Sequence, residues 1–397
     1  MSANLWLVLS TAVFFGLATG IYEYVLPLYL KSQGITFAEM GAIFAIAGAV
    51  MVAVRIYLGG LTDRVGRKPM LGTALALCGL ATAAPPLFVN LLAQAALKIA
   101  RDIAMLTRET VFPIVLYEEQ RGAFLNFIGK FRGIEFLLQA GGTLLAGAIV
   151  STVGLVNVLG YRVGLYVAGG ALCVAALLWS VAFREHRSAP PPQALNLRAL
   201  FNLDLHHNLR VMLAASLVLT LGVQLSHSFY LPIFFKERFG IPDQTNALLM
   251  GLHRVTIALP MLVVGNLRLK NLRAWYIWGF LIEGVTLALC AVLPNFWASA
   301  GVFLLHDLIG AGIWSPIQAM LIQKFSRDAT RGTEVGKVLA WTSLGAVAAP
   351  LIAGHLAERH VILPFLVSGL VTLVAAIPLC WLKPELPAPD AVRAAGA

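Results

Sequence analysis

The sequence predicts an all-α membrane protein in which twelve transmembrane helices form two pseudo-symmetric six-helix bundles. Three observations predict this class: the composition, the recurrence of long apolar runs, and a repeat half a chain apart. Hydrophobic residues make up 59% of the 397 residues and charged residues 12%, whereas a typical globular domain has about 25% charged residues. The apolar runs reach about 20 residues without period-two alternation, which indicates helices rather than the strands of a transmembrane barrel.

Twelve apolar runs are each long enough to cross a hydrocarbon core of about 30 Å at a rise of about 1.5 Å per residue. The predicted spans are residues 4–30, 39–59, 69–89, 91–116, 131–151, 161–183, 210–235, 245–266, 273–293, 297–322, 335–355 and 361–382. No basic region precedes the first apolar run, so we interpret that run as the first span rather than as a cleaved signal peptide.

The distribution of Lys and Arg predicts the orientation of these spans. With the N-terminus in the cytoplasm, most of the 29 Lys and Arg residues fall in inside loops and in the tail. The outside loops then hold only Lys31, Arg162, Lys236, Arg238 and Arg359. This bias predicts a multi-pass plasma-membrane protein with both termini in the cytoplasm, and the lack of N-x-S/T acceptor sites favours a bacterial inner membrane. The net charge of +10 then reflects the Lys and Arg residues that orient the spans, and we expect no nucleic-acid partner.

The stretch "VLPLYLKSQGI" at residues 25–35 returns as "YLPIFFKERFGI" at residues 230–241. The repeat predicts an N-terminal bundle at 1–183, a Pro-rich cytoplasmic linker at 184–209 and a C-terminal bundle at 210–397. Parallel repeats around a midplane site are a common architecture of secondary transporters. We therefore expect alternating access in a monomer, because the two halves already form a complete pathway.

A short glycine-rich and basic motif, "GGLTDRVGRKPML", lies at residues 59–71 between spans 2 and 3. Its residues predict a tight cytoplasmic turn, with a glycine free to adopt positive φ and Pro69 in the first turn of span 3. The motif resembles the signature loop of the major facilitator superfamily, G-x-L-x-D-R-x-G-R-K. The resemblance implies the fold of that family and a conformational latch in which Asp63 meets the start of helix 11. The latch residues are Gly59, Asp63, Arg64, Gly66, Arg67 and Lys68.

Span 4 carries an unusual number of charges for a membrane segment. They are Lys98, Arg101, Asp102, Arg108 and Glu109. Each would cost about 2.5–3.5 kcal/mol at mid-bilayer, so we expect them to face protein or water. Lys98 and Asp102 have the spacing of an intrahelical ion pair. Arg101 and Arg108 are expected to hold an anionic group of the substrate, and the alternative is a structural salt bridge.

Candidate site residues follow from the polar side chains within other spans. The proton-coupling candidates are Glu23, Asp102 and Glu135. Desolvation favours the neutral form of a carboxylate in an apolar span, so such a group can bind and release a proton. The substrate-binding candidates are Arg101, Arg108, Tyr22, His227, Tyr230 and Arg254. Other polar candidates within the spans are His253, His306, Asp307 and Glu283. Of these, Asp307 is expected to be solvated near the outer end of span 10, and Glu283 is expected to contribute to packing or to an interface.

The sequence favours proton-coupled efflux of a small organic solute, and the alternative is import or facilitated passage of an organic anion or metabolite. The small residues of "QAGGTLLAG" at 139–147 resemble the pattern of twelve-helix drug–proton antiporters, although the proline of that pattern is absent. The chain carries neither a nucleotide-binding loop nor a motif for catalysis. We therefore expect no enzyme activity, no cofactor and no metal, and the partners are a small-molecule substrate, protons and the lipid bilayer.

Overall fold

A computed structural model describes residues 3–119, 124–153, 157–184, 204–263, 271–327 and 331–383, and these residues contain helices but no strand. The N-terminal half comprises α1 (Ala3–Ser32), α2 (Phe37–Val65), α3 (Arg67–Ala83), α4 (Leu91–Glu119), α5 (Phe124–Val153) and α6 (Asn157–Ala182). The C-terminal half comprises α7a (His207–His227), α7b (Leu231–Phe239), α8 (Asp243–Val263), α9 (Leu272–Val292), α10a (Phe296–Leu305), α10b (Gly312–Phe325), α11 (Arg331–Arg359) and α12 (Leu363–Val374).

The fold class predicted from the sequence is confirmed. Ten segments of the described chain are long and apolar enough to cross a membrane, when α10a and α10b are taken together with the π turn (His306–Ala311) between them. The two remaining predicted spans are not among these ten segments, because α3 has only 17 residues and α4 carries the cluster of charges described above.

Two predicted boundaries were wrong for local reasons. Span 3 was predicted to reach residue 89, but α3 ends at Ala83 because Pro85 and Pro86 cannot continue the helix. The turn after span 2 is also shorter than the motif suggests. Helix α2 continues to Val65, and the chain reverses at Gly66, whose φ of 97° favours glycine.

The two halves meet mainly along two helix pairs, α5 with α8 and α2 with α11. Small residues allow these backbones to approach closely, as in many membrane helix pairs. A Cβ at Gly147 would meet the Ala247 methyl group at 2.4 Å, and a Cβ at Gly41 would meet the carbonyl oxygen of Pro350 at 2.4 Å. The halves are thus held at van der Waals distance along both helix pairs.

Polar contacts join the halves at the end of the molecule where α1 ends and α2 begins. Lys31 Nζ lies 2.7 Å from Glu237 Oε2. The Glu358 carboxylate accepts hydrogen bonds from the first backbone amides of α2, 2.7 Å from Phe37 N, where the helix dipole favours a negative charge. Tyr24 also donates to the carbonyl oxygen of Asp243 at 2.7 Å. Together these contacts close one end of the space between the halves.

Replacement of Gly142 by Ala is expected to destabilise the protein. A Cβ there would lie 2.1 Å from the carbonyl oxygen of Leu17, so α1 and α5 would have to separate, and overpacking of this kind costs about 1–3 kcal/mol. We expect the thermal midpoint of the detergent-purified protein to fall by several degrees. Gly170→Ala is the matched control, because its Cβ meets nothing within 4 Å. An equal midpoint for both variants would contradict the prediction.

Candidate functional site

A cavity of about 460 Å³ lies between the two halves. Side chains from α1, α2, α4 and α5 line one wall, and side chains from α7a, α7b, α8 and α11 line the other. Six residues that the sequence marked as site candidates lie on its surface, namely Tyr22, Glu23, Arg101, Asp102, His227 and Arg254. Four of the five charged residues of span 4 therefore line this cavity, namely Lys98, Arg101, Asp102 and Glu109.

Arg101 presents its guanidinium group to the cavity from α4. The side chain is buried, and its guanidinium carbon lies 3.6 Å from the centre of the Tyr22 ring. Its Nη1 is 3.7 Å from Asp102 Oδ1, whereas Nε and Nη2 have no hydrogen-bond partner among the described residues. Buried polar groups are normally hydrogen-bonded. These two unpaired donors are closed off from solvent beside the cavity, so an anion in the cavity would engage them once the side chain turns toward it.

Lys98 and Asp102 form the ion pair that their spacing predicts, with Lys98 Nζ in contact with Asp102 Oδ2. Lys98 Nζ also lies 4.6 Å from the centre of the Phe44 ring of α2. The Asp102 carboxylate thus lies between the positive charges of Lys98 and Arg101. Protonation of Asp102 would leave both cations available to another anion.

Glu23 and Arg254 connect the halves inside the cavity. Arg254 Nη2 of α8 donates to Glu23 Oε2 of α1. Both side chains remain partly exposed, 39% for Glu23 and 23% for Arg254, because they line the cavity. The structure thus pairs this proton-coupling candidate with an arginine of the other half.

The charges of the cavity balance. Its lining has three basic residues, Lys98, Arg101 and Arg254, and three acidic residues, Glu23, Asp102 and Glu109. Charges in a poorly solvated space are stable only when they are paired. A bound organic anion would leave a net negative charge in this space, and one additional proton would restore neutrality.

Three sequence candidates lie outside the cavity lining. Arg108 Nη1 of α4 is 2.6 Å from Glu135 Oε1 of α5, and both side chains are buried. The Arg108 guanidinium also stacks on the Phe15 ring at 3.6 Å. This geometry matches the structural salt bridge that the sequence left open for Arg108. Tyr230 is buried as well, and its hydroxyl donates to the carbonyl oxygen of Val361 at 2.8 Å.

The conformational latch remains a prediction. The side chains of Gly59, Asp63 and Arg64 lie outside the part of the chain whose side chains the structure describes. Of the remaining latch residues, Gly66 forms the turn and Arg67 is buried. The carbonyl oxygen of Lys68 accepts a hydrogen bond from Trp179 Nε1 at 3.1 Å.

A second polar cluster lies in the C-terminal half, where the sequence marked its residues one by one but not their association. Asp307, which was expected to be solvated, is 1% exposed and contacts His253, which is also buried. His306 lies beside them, and His306 Nε2 is 3.1 Å from His227 Nε2. The adjacent pair His306–Asp307 in an apolar span was a signal for this cluster, but its partners on α7a and α8 were not readable from sequence.

Comparison with known proteins places this architecture in a family. The family model described as Major Facilitator Superfamily matches residues 8–272 and 255–397. The chain belongs to the major facilitator superfamily. It is therefore a membrane transporter of that superfamily, as the motif at 59–71 implied, and the multi-pass membrane location follows from the fold and its many apolar helices.

One curated relative is similar to part of this chain. The niacin transporter NiaP of Acinetobacter baylyi is 31% identical over 140 residues, which is 34% of this chain. The match spans 32% of that transporter's length.

Solved structures resemble the chain over its whole length, at identities that show the fold alone. The nucleoside transporter NupG superposes with a TM-score of 0.78 at 14% identity, over 96% of this chain and 100% of that one. A bacterial homologue of the iron transporter ferroportin, in an inward-facing state, superposes with a TM-score of 0.73 at 18% identity, over 97% of this chain and 100% of that one. The human organic anion transporter MFSD10 superposes with a TM-score of 0.64 at 16% identity, over 96% of this chain and 100% of that one.

Proposed function

We propose that this transporter imports a small aromatic monocarboxylate, of the kind represented by nicotinate, together with one proton. The observation that carries the proposal is the Arg101 side chain, which lines the cavity and whose buried Nε and Nη2 have no hydrogen-bond partner among the described residues. The partial similarity to a niacin transporter supports the same substrate class.

The carboxylate of the substrate would bind Arg101, because the planar guanidinium group pairs with a carboxylate through two parallel hydrogen bonds. The aromatic ring of the substrate would lie among Tyr22, Phe44 and Phe229, which line the same cavity. The cavity volume of about 460 Å³ lies within the range of about 300–1,000 Å³ that is typical of small-molecule sites.

The proton would be carried by Glu23, with Asp102 as the second candidate. Protonation of Glu23 removes one charge of its pair with Arg254 and weakens the link between α1 and α8. The proton would thereby shift the equilibrium between the outward-facing and inward-facing states of the transporter. A ligand shifts such an equilibrium only by its different affinity for the two states, and this ion pair is a contact that the states do not share equally.

Import is favoured over the efflux that the sequence suggested. An anion that enters a cell moves against an inside-negative potential, at a cost of about 2.3 kcal/mol per 100 mV. A proton that travels with the anion removes this cost and adds the energy of the pH gradient. The neutral cavity, which accepts an anion and a proton together without net charge, supports symport rather than exchange.

The proposal also includes the orientation of the protein in the membrane and the two bundles that move during transport. With both termini in the cytoplasm of a bacterial inner membrane, the end closed by Lys31–Glu237 faces outward and the motif at 59–71 faces inward. Residues 1–183 and 210–397 would rock as two bundles joined by the linker at 184–209, and one monomer would contain the full pathway.

Purified protein in liposomes tests this function. We expect uptake of radiolabelled nicotinate that accelerates when the outside is made acidic, with alkalinisation of the outside medium as substrate enters. Nicotinamide is the matched control, because it has the same ring without the negative charge, and we expect it not to be transported. Equal uptake of nicotinamide would contradict anion recognition by Arg101. Substrate-driven proton movement in the opposite direction would restore the efflux hypothesis.

A further inference from the structure

Three histidines and an aspartate form a cluster in the C-terminal half beside the substrate cavity. His227 ends α7a, His253 lies in α8, and His306 and Asp307 begin the π turn of α10. One ring nitrogen from each histidine lies within 4.8 Å of the other two. We propose that this cluster binds a first-row divalent transition-metal ion, an inference that goes beyond the proposed transport of a carboxylate.

The π turn explains how two neighbouring residues reach one site. In a regular α-helix, consecutive side chains diverge by about 100°. The wider π turn changes the direction of these side chains, and such turns are frequent at functional sites. His306 and Asp307 are each 1% exposed, and His306 Nε2 lies 3.3 Å from Asp307 Oδ1.

The hydrogen bonds around the rings determine which nitrogens are free to bind a metal. His227 Nδ1 lies 3.1 Å from the carbonyl oxygen of Val223, and His306 Nδ1 contacts the carbonyl oxygen of Phe303. A carbonyl oxygen only accepts, so the His306 ring carries its proton on Nδ1 and a lone pair on Nε2. His227 Nδ1 also lies 2.7 Å from Ser226 Oγ, a hydroxyl that can donate or accept, so the His227 ring can present either a lone pair or an N–H at Nε2. His253 Nδ1 donates to the Asp307 carboxylate in the same manner, which also leaves its Nε2 free.

The Nε2 atoms of two of these rings face each other. His227 Nε2 and His306 Nε2 are 3.1 Å apart, a distance that suits a hydrogen bond between them or one metal ion bound to the lone pair of each. A proton would satisfy these two atoms alone. A metal ion would also engage the third imidazole and Asp307 Oδ1, which lies 3.3 Å from His306 Nε2.

The donor atoms have the spacing and chemistry of a metal site. With metal–nitrogen bonds of about 2.0–2.1 Å, neighbouring ligand atoms in a tetrahedral site are roughly 3.3 Å apart. The distances of 3.1 Å and 3.3 Å around His306 match this value. Imidazole nitrogens suit zinc, copper, iron and nickel rather than calcium or magnesium. The hydrogen bonds to Nδ1 are the outer contacts that orient metal-binding histidines.

The charge around the cluster also favours a divalent ion. Asp307 is buried, and so is Glu283 of α9, which packs against the π turn at Gly310. Among the described residues, no Lys or Arg lies within ion-pair distance of either carboxylate. Buried carboxylates are normally paired or coordinate a metal. A divalent ion at the histidines would balance the charge of Asp307, which contacts two of them, and the ion has a route of entry because His227 lines the cavity.

Equilibrium binding of Co²⁺ to the detergent-purified full chain tests the site, after removal of any purification tag and of bound metals with a chelator. We expect about one equivalent of Co²⁺ with visible absorption bands of a four- or five-coordinate ion, displaced by Zn²⁺ and not by Mg²⁺. His227→Gln and His306→Gln should each weaken Co²⁺ binding at least about ten-fold. Asp307→Asn should weaken it roughly 10–100-fold, as is typical of residues that orient metal ligands.

His355→Gln is the matched control, because His355 is exposed on α11 away from the cluster, and it should bind Co²⁺ as the unchanged protein does. A monodisperse elution profile for each variant separates loss of ligand from loss of fold. The absence of saturable Co²⁺ binding in the unchanged protein would overturn the proposal and leave a shared proton between His227 and His306. Unchanged binding in His306→Gln would overturn it as well. Neither result depends on carboxylate transport, so the two proposals fail separately.

Discussion

Replacement of Arg101 by Gln is expected to reduce nicotinate transport in liposomes by roughly 30- to 1,000-fold in kcat/KM. This range corresponds to a loss of about 2–4 kcal/mol, the order expected when one partner of a buried, charged hydrogen-bonded pair is removed. Gln at this position cannot supply a positive charge or the two parallel donors that a carboxylate engages. Arg101→Lys should show an intermediate loss, because it keeps the charge without the fork geometry.

Arg359→Gln is the matched control for this measurement, since Arg359 is exposed at the end of α11. Its transport should equal that of the unchanged protein. Thermal midpoints in detergent should show that Arg101→Gln remains folded. If Arg101→Gln transported nicotinate with an unchanged KM, the guanidinium would be a structural partner of Asp102, and the substrate class proposed here would be wrong.

Glu23→Gln is expected to abolish proton-driven accumulation while it preserves exchange of substrate across the membrane. Gln has the size of Glu but cannot bind and release the proton, so uptake should no longer respond to an imposed pH gradient. The variant also replaces the inter-half ion pair with Arg254 by a neutral hydrogen bond. Accumulation under a pH gradient and counterflow without one are the two assays that separate these steps.

The control for Glu23→Gln is Asp204→Asn, because Asp204 is 76% exposed and lies outside the cavity lining. Its accumulation should follow the pH gradient as before. Asp102→Asn provides the discriminating comparison. If Asp102→Asn loses proton-driven accumulation and Glu23→Gln keeps it, the proton is carried on α4, between Lys98 and Arg101, and the role given to Glu23 is wrong.

Much of the fold was readable from the sequence because membrane insertion depends on local composition. A run of about 20 apolar residues must be helical in lipid, since every backbone group has to be satisfied within its own segment. The charged residues of α4 were predicted to face protein or water because their exposure to lipid would cost too much free energy. The pairing of Lys98 with Asp102 followed from their spacing along one helix. The motif at 59–71 indicated the superfamily because its residues occur at fixed intervals in one loop.

The partners of most charges depended instead on the rotation of each helix against its neighbours. The helical period places Arg101 and Arg108 on one stripe, yet packing against α1 and α5 directs Arg108 to Glu135 and Arg101 to the Tyr22 ring at the cavity. No spacing in the sequence pairs Glu23 with Arg254, because α1 and α8 meet only after the two halves assemble.

The environment of the histidine cluster was likewise decided by tertiary structure. A regular helix would direct His306 and Asp307 to different neighbours, and the π turn directs both toward His227 and His253. Hydrophobicity and spacing act within one segment, so the sequence by itself determined the membrane class, the helices and the family of this protein. Contacts between segments arise only when helices pack at fixed rotations, so the tertiary structure alone decided which buried charges line the cavity and which form pairs outside it.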